Sequence, residues 1–159
     1  MGQYRTSRAI EASLIDFLKP LLEANWGNIS VEKTFAKIYD ISLPSVCIRV
    51  GDTSHAKAEI GDDSTIRTVQ VFIDIFASSD GQRLDIKDFI VENIKNGGIF
   101  YDYVISGGSV QSKTANGRLR VTSIEDSGIN FDTDKEKLDK HDRYRSLITL
   151  SISLGRIES

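Results

Sequence analysis

The sequence predicts an α+β protein, α/β in the broad sense: a mainly antiparallel mixed β-sheet with two amphipathic helices packed on one face, plus an accessory hairpin. Three observations predict it. First, in Thr65 to Ala77 the β-branched residues Val69, Val71, Ile73 and Ile75 alternate with Thr68, Gln70, Phe72 and Asp74, the period of two that puts one set on one face of a strand. Second, Ile10, Leu14, Phe17, Leu18 and Leu21 recur at three-and-four spacing, as do Ile86, Phe89, Ile90 and Ile94, so two helices each carry an apolar stripe for that face. Third, Tyr144, Ile148, Leu150, Ile152 and Leu154 share one parity near the end of the chain, which supplies an antiparallel partner for the central strand. At 159 residues, 40% hydrophobic and 27% charged, the chain has the size of one domain, 1–159, that builds its core without metal or disulfide.

In chain order, Thr6 or Ser7 is placed to cap the first helix. Pro20 predicts a kink or restart, because a proline inside a helix lacks the N–H and clashes one turn back, and the helix is expected to end near Trp26-Gly27-Asn28. Ile29 to Phe35 alternates as a short, edge-type strand, followed by a turn near Tyr39-Asp40. Pro44 opens the next strand, Ser45 to Val50, with Val46, Ile48 and Val50 on one face; a missing donor costs little at a strand start. Gly51 to Ser64 carries Asp52, Glu59, Asp62 and Asp63 against Lys57 and His55 and is expected to be a solvated, acidic hairpin tip, longer than common hairpin loops.

Beyond the central strand, Ser78-Ser79-Asp80-Gly81 provides a turn and a cap, the second helix runs from about Gln82 to Asn96, and Gly97-Gly98 ends it. Ile99 to Ile105 and Gly117 to Ile124 read as the accessory hairpin. Glu125 to Asp142 is strongly charged and reads as a solvated loop or short exposed helix, and the final strand spans Arg143 to Gly155.

The chemistry-bearing residues are sparse. The formal charge of −3 gives no electrostatic ground for general nucleic-acid binding. No apolar run approaches a membrane span and the amino terminus lacks a signal-peptide pattern, so a soluble protein made in a cytoplasm is expected. Cys47, the single cysteine, sits in an apolar strand and reads as a small buried side chain. His55 and His141 lie in charged segments without metal-ligand spacing and read as surface residues; no metal and no cofactor is expected. Asp134-Lys-Glu-Lys137 has the acid-x-lysine order of metal-dependent nucleases but lies in a nearly all-polar run. Gly97-Gly98 and Gly107-Gly108 lack the pattern of a phosphate loop. Tyr101 and Tyr103 beside Phe100 resemble a base-stacking platform without its basic groove, and packing is the better account.

This order of elements resembles the tail terminator, or tail completion, proteins of long-tailed, lambda-like phages. The resemblance rests on Leu43, Pro44, Val46, Ile48 and Val50, then Val69 to Phe76, then Leu84, Asp85 and the helix to Ile94; it covers most of residues 7–96 and the last strand, while Ile99 to Asp142 does not match. It implies a non-enzymatic virion protein of the tail or neck, assembled in the host cytoplasm. Such a protein forms a ring with itself, usually a hexamer, stops tail-tube polymerisation and offers a surface to the head completion or connector protein, with DNA passing through the lumen. The alternatives are a head-completion or joining neck protein of the same fold, a small enzyme such as a metal-dependent nuclease, or a monomeric adaptor. For a ring, the candidate interface residues are Phe72 and Phe76 on the second face of the central strand, the loop acids Asp52, Glu59, Asp62 and Asp63, and Arg67. Loop acids facing the lumen would repel DNA phosphates; they would equally serve to keep the loop solvated.

Overall fold

The computed structural model describes residues 2–33, 41–57, 60–61, 65–129, 138 and 140–154. Over these the elements are β1 (Gly2–Gln3), α1 (Thr6–Asn25), β2 (Ser30–Glu32), β3 (Ser45–Lys57), β4 (Thr65–Ala77), α2 (Asp80–Ile94), β5 (Gly98–Ser106), β6 (Ser109–Ile129) and β7 (Tyr144–Ser153). The strands form one seven-stranded sheet in the order β1-β5-β6-β7-β4-β3-β2. Only β2 runs parallel to its neighbour; the other pairs are antiparallel. The fold is therefore α+β with a mixed, mainly antiparallel sheet, as the alternation predicts.

Register explains the core. Ile75, Ile73 and Val71 of β4 stand opposite Val46, Ile48 and Val50 of β3, and Ile73, Val71 and Val69 stand opposite Ile148, Leu150 and Ile152 of β7. Three strands thus present one continuous aliphatic face, onto which α1 sets Ile10, Leu14, Leu18 and Leu22 and α2 sets Ile86, Ile90 and Ile94. Each such side chain contributes about 1.5–3 kcal/mol by leaving water. The helices also meet each other where Trp26 packs edge-on against Phe89, with ring centroids 5.2 Å apart.

The sheet curls around α1. On one turn of that helix, Ser13 Oγ accepts the Tyr101 N–H of β5 at 3.0 Å, while Glu11 Oε2 accepts the Val50 N–H of β3 at 3.4 Å. Three strands separate β5 from β3 in the sheet, so both reach one turn of helix only if the sheet bends. Each N–H lies beside a register shift, between Ile99 and Tyr101 and between Val50 and Thr53. A β-bulge disturbs the ladder and bends the strand, and here helix side chains take up backbone donors next to it.

Several expectations need correction. Neither Thr6 nor Ser7 caps α1: Arg5 holds the cap position without a side-chain hydrogen bond, and the Ser7 hydroxyl instead accepts from Arg67 Nη1 at 3.1 Å. At Pro20 α1 does not restart but runs on as one helix to Asn25 with Trp26 at its C-cap, the end expected near Trp26-Gly27-Asn28; Leu18 and Leu22, on either side, are fully buried and hold both turns to the core. The strand foreseen at Ile29 to Phe35 is three residues, Ser30–Glu32, at the sheet edge, and the turn near Tyr39-Asp40 lies outside the described residues. Gly51 to Lys57 is strand and not loop: β3 stays paired with β4 as far as Lys57 opposite Thr65.

The hairpin after α2 is larger than its apolar runs imply. Gly107 and Gly108, with φ of +61° and +80°, join Ser106 to its partner Ser109, the two-residue turn that matches strand twist and needs positive φ at both positions. β6 then runs 21 residues, pairing first with β5 and then with β7, so the hairpin is an integral part of the sheet. Glu125–Ile129, expected as loop or helix, belongs to β6.

Candidate functional site

Three surfaces hold the side chains with chemical potential. The first is the sheet face turned away from the helices. Phe72, Asp74 and Phe76 of β4 lie opposite Arg49, Cys47 and Ser45 of β3 and opposite Thr149, Leu147 and Arg145 of β7. Asp74, almost fully buried, receives Arg49 Nε at 3.2 Å and has Arg145 Nη2 at 3.6 Å. The guanidinium carbons lie 4.9 Å and 4.6 Å from the ring centroids of Phe72 and Phe76 respectively. The two cations thus share a carboxylate and each covers an aromatic face, a geometry in which Arg is attracted by the ring quadrupole. Arg145 also donates to Asp142 at 3.2 Å.

The interface candidates on this face are placed differently from one another. Phe76 is fully buried in a small cluster with Cys47 and Leu43, so its ring area is spent inside the chain. Phe72 is half-buried and lies against β3 where Gly51 has no side chain; a Cβ there would stand 2.2 Å from the ring. Burial, reinforced by the nearby Asp74 charge, pushes the Cys47 thiol up to about 11, so the thiolate is disfavoured. His141 is buried, not at the surface, with Nε2 2.6 Å from the Ile41 carbonyl.

The second surface is the distal half of the β3–β4 hairpin. Its residues 52–57 are exposed, Asp52 and His55 among them. Arg67 is half-buried and tied to Ser7 of α1. Glu59, Asp62 and Asp63 lie outside the described residues. At the tip, Ile60 is completely exposed, next to Gly61 with φ of +85°.

The third is a trough between α1 and the β5–β6 hairpin. Tyr103 donates to Asp16 Oδ2 at 2.6 Å, and Lys113 Nζ lies 3.5 Å from the same oxygen and 4.6 Å over the Tyr101 ring. Arg8 covers Tyr4 at 4.0 Å, and Tyr4 packs on Tyr103 at 5.5 Å. Burial, then the hydrogen bond to Asp16, raises the Tyr103 pKa, keeping its hydroxyl a donor. Phe100 and Tyr103 are buried in the core and Tyr101 packs against it, with Tyr103 and Tyr101 also lining the trough, so packing accounts for these rings as expected.

Among the described residues no group of three or more His, Cys, Asp or Glu is arranged to hold a metal ion, and no helix is long and apolar enough to cross a membrane. Asp134 to Lys137 lies outside the described residues. Sequence reading missed the Arg49–Asp74–Arg145 network and the Tyr4–Arg8 pair. Part of the signal for the first was present: Arg49 interrupts the apolar run Val46 to Val50, and Asp74 the run Val71 to Phe76, at the parity of Phe72. The second pairs residues four apart, and it is the Tyr4–Tyr103 ring contact that joins them to β5, which no local pattern announces.

No protein-family model matches the chain, and no curated protein matches it in sequence. Among solved structures, a chain from the virion of a native gene transfer agent particle is similar over 98% of this chain and 99% of its own, at 14% identity and a TM-score of 0.49. A likeness at that level assigns no function.

Proposed function

We propose that this chain is a structural, non-catalytic subunit of a phage-like virion that ends tail-tube polymerisation and forms a ring, hexameric in the family it resembles, to which the head docks. One observation carries the reading: two long hairpins extend from a core that does not need their outer halves. Residues 52–57 and 106–118 are exposed, while the helices and the inner strand segments already bury the aliphatic face. Ordered strand outside a core costs conformational entropy, and its physical use is contact with other subunits through strand edges and side chains. A stable ring contact needs roughly 800 Å² from each partner, which hairpins of this length can supply. The tail tube, the head completion or connector protein and neighbouring copies are the partners on this reading, with DNA passing through the lumen unbound. A joining protein of the neck is the second reading, favoured by the length of β6, which lies in the region outside the resemblance.

Electron microscopy of tails assembled with and without the protein tests the proposal. Tubes of uncontrolled length and unjoined heads are expected in its absence; normal tube length and intact joining would overturn it.

A further inference from the structure

Exposed large apolar side chains are few among the described residues: Ile60, Ile66, Leu84, Ile99 and Val110. All but Leu84 fall in two places. Ile60 and Ile66 stand on the β3–β4 arm, and Val110 and Ile99 line two cavities beside α1, of about 500 Å³ and about 370 Å³. Asp16 and Lys113 border both cavities, so the two form one trough along the helix. An apolar knob and an apolar trough on one molecule are complementary in shape and polarity.

Charge points the same way. The arm segment 51–64 carries Asp52, Glu59, Asp62 and Asp63 against Lys57. The trough is bordered by Arg8, Lys33, Lys113 and Arg118 against Glu11 and Asp16. Both trough acids are already engaged, Glu11 by the Val50 N–H and Asp16 by the Tyr103 hydroxyl and Lys113. The arm segment is thus net negative in sequence and the trough carries a cationic excess, a complementarity that fixes register between partners.

The arm does not reach its own trough. Arg8 and Glu11, at the near end, lie beside Val50 and Gly51 at the arm's base, whereas β3 remains laddered to β4 out to Lys57, roughly 20 Å farther along the strand. Folding back would break that ladder. We infer that the β3–β4 arm of one subunit inserts Ile60 into the trough between α1 and the β5–β6 hairpin of the next copy, guided by the net negative charge that the sequence gives the arm and the cationic excess of the trough. Because knob and trough are different patches, the contact is head-to-tail and builds a ring if its rotation closes. The inference rests on the ring reading and supplies its contact.

The test uses two full-length variants, Ile60→Cys and Ser112→Cys, mixed under mild oxidation at the highest soluble concentration, with wild type as the control for buried Cys47. A disulfide-linked mixed dimer severalfold more abundant than either homodimer is expected, and adding Arg8→Glu and Lys113→Glu to the trough variant should lower its yield severalfold. No mixed dimer, or one no more abundant than the homodimers, overturns the inference. Amine-reactive cross-linking of the wild-type chain runs in parallel: a ladder ending at a closed oligomer, without the mixed disulfide, sinks this contact and leaves the ring standing; neither product removes both.

Discussion

At Asp74 a single carboxylate determines how two strands carry positive charge into a poorly solvated face. Arg145 is nine-tenths buried and Arg49 is more open, with side-chain exposure of 9% and 42%, so the two pairings are not equal in worth. Removing one partner of a buried pair is costly because the other charge stays behind in low dielectric, whereas an exposed pair counts for little. Asp74→Ala is therefore expected to destabilise the fold by about 2–3 kcal/mol in urea unfolding, and Asp74→Asn, which keeps the volume and an acceptor, by less. Loss of under half a kilocalorie would show that the network contributes no net stability. Cys47 opposite Asp74 gives a second residue-scale prediction. Its ordinary value is 9.0 and its folded value about 11, so the folded chain holds the thiol proton more tightly. The stability associated with that proton is complete below pH 9 and is lost as pH rises from about 9 to 11. Alkylation of the native chain at pH 8 should be far slower than in denaturant, and equal rates would contradict the burial.

Between α2 and β5 an element boundary is decided by one backbone conformation. Ser79 Oγ accepts the Gln82 N–H at 3.2 Å and Gln82 Oε1 accepts the Ser78 N–H at 2.9 Å, so side chains satisfy backbone donors at the start of the helix. At its other end the Gly97 N–H bonds the Ile94 carbonyl at 2.8 Å, with φ of +73°. A Cβ on Gly97 would stand 1.9 Å from the Leu119 carbonyl oxygen of β6, so side-chain bulk there would part the helix end from the sheet. Gly97→Ala is expected to cost about 2–3 kcal/mol, strain and clash together. Gly27→Ala, where nothing lies within 4 Å and φ is not positive, should change stability by no more than roughly 0.5 kcal/mol. Equal denaturation midpoints for the two variants would show that the close approach is not energetically important.

Whole-molecule behaviour follows from which surface the core uses. The arm contributes no buried residue among its described positions from His55 to Arg67, and its base is closed by the paired residues Ser54 and Thr68. Replacing His55 to Arg67 by Asn-Gly, a two-residue turn suited to a hairpin, should leave the circular dichroism spectrum and melting temperature close to wild type. On the proposed ring reading, the same variant should also lose self-association in cross-linking and fail to control tail length. A variant that unfolds would assign the arm to the fold, and one that still assembles would remove it from the interface.

The central strand and the helices over it were legible because alternation in Val69 to Ile75 and the three-and-four spacing of Ile10 to Leu21 are local patterns that burial enforces. The full length of β6 was not. Ser109 to Asn116 lacks apolar periodicity, and it becomes strand because β5 supplies backbone partners. The end of α1 near Trp26 was legible too, and no restart occurs at Pro20, where Leu18 and Leu22 packing in the core keeps one helix through it. Phe72 and Phe76 share a parity, so local sequence does not tell them apart. Arg145, brought from nearly seventy residues away, and the segment at Leu43 close over Phe76 and leave Phe72 half open. By itself the sequence determined the secondary-structure alternation, the aliphatic face and the α+β class, since these follow from side-chain period and the cost of exposing apolar area. Tertiary structure alone decided the curl of the sheet, the trough beside α1 and the isolation of Ile60 at the arm's tip, because each depends on groups distant in the chain meeting in space.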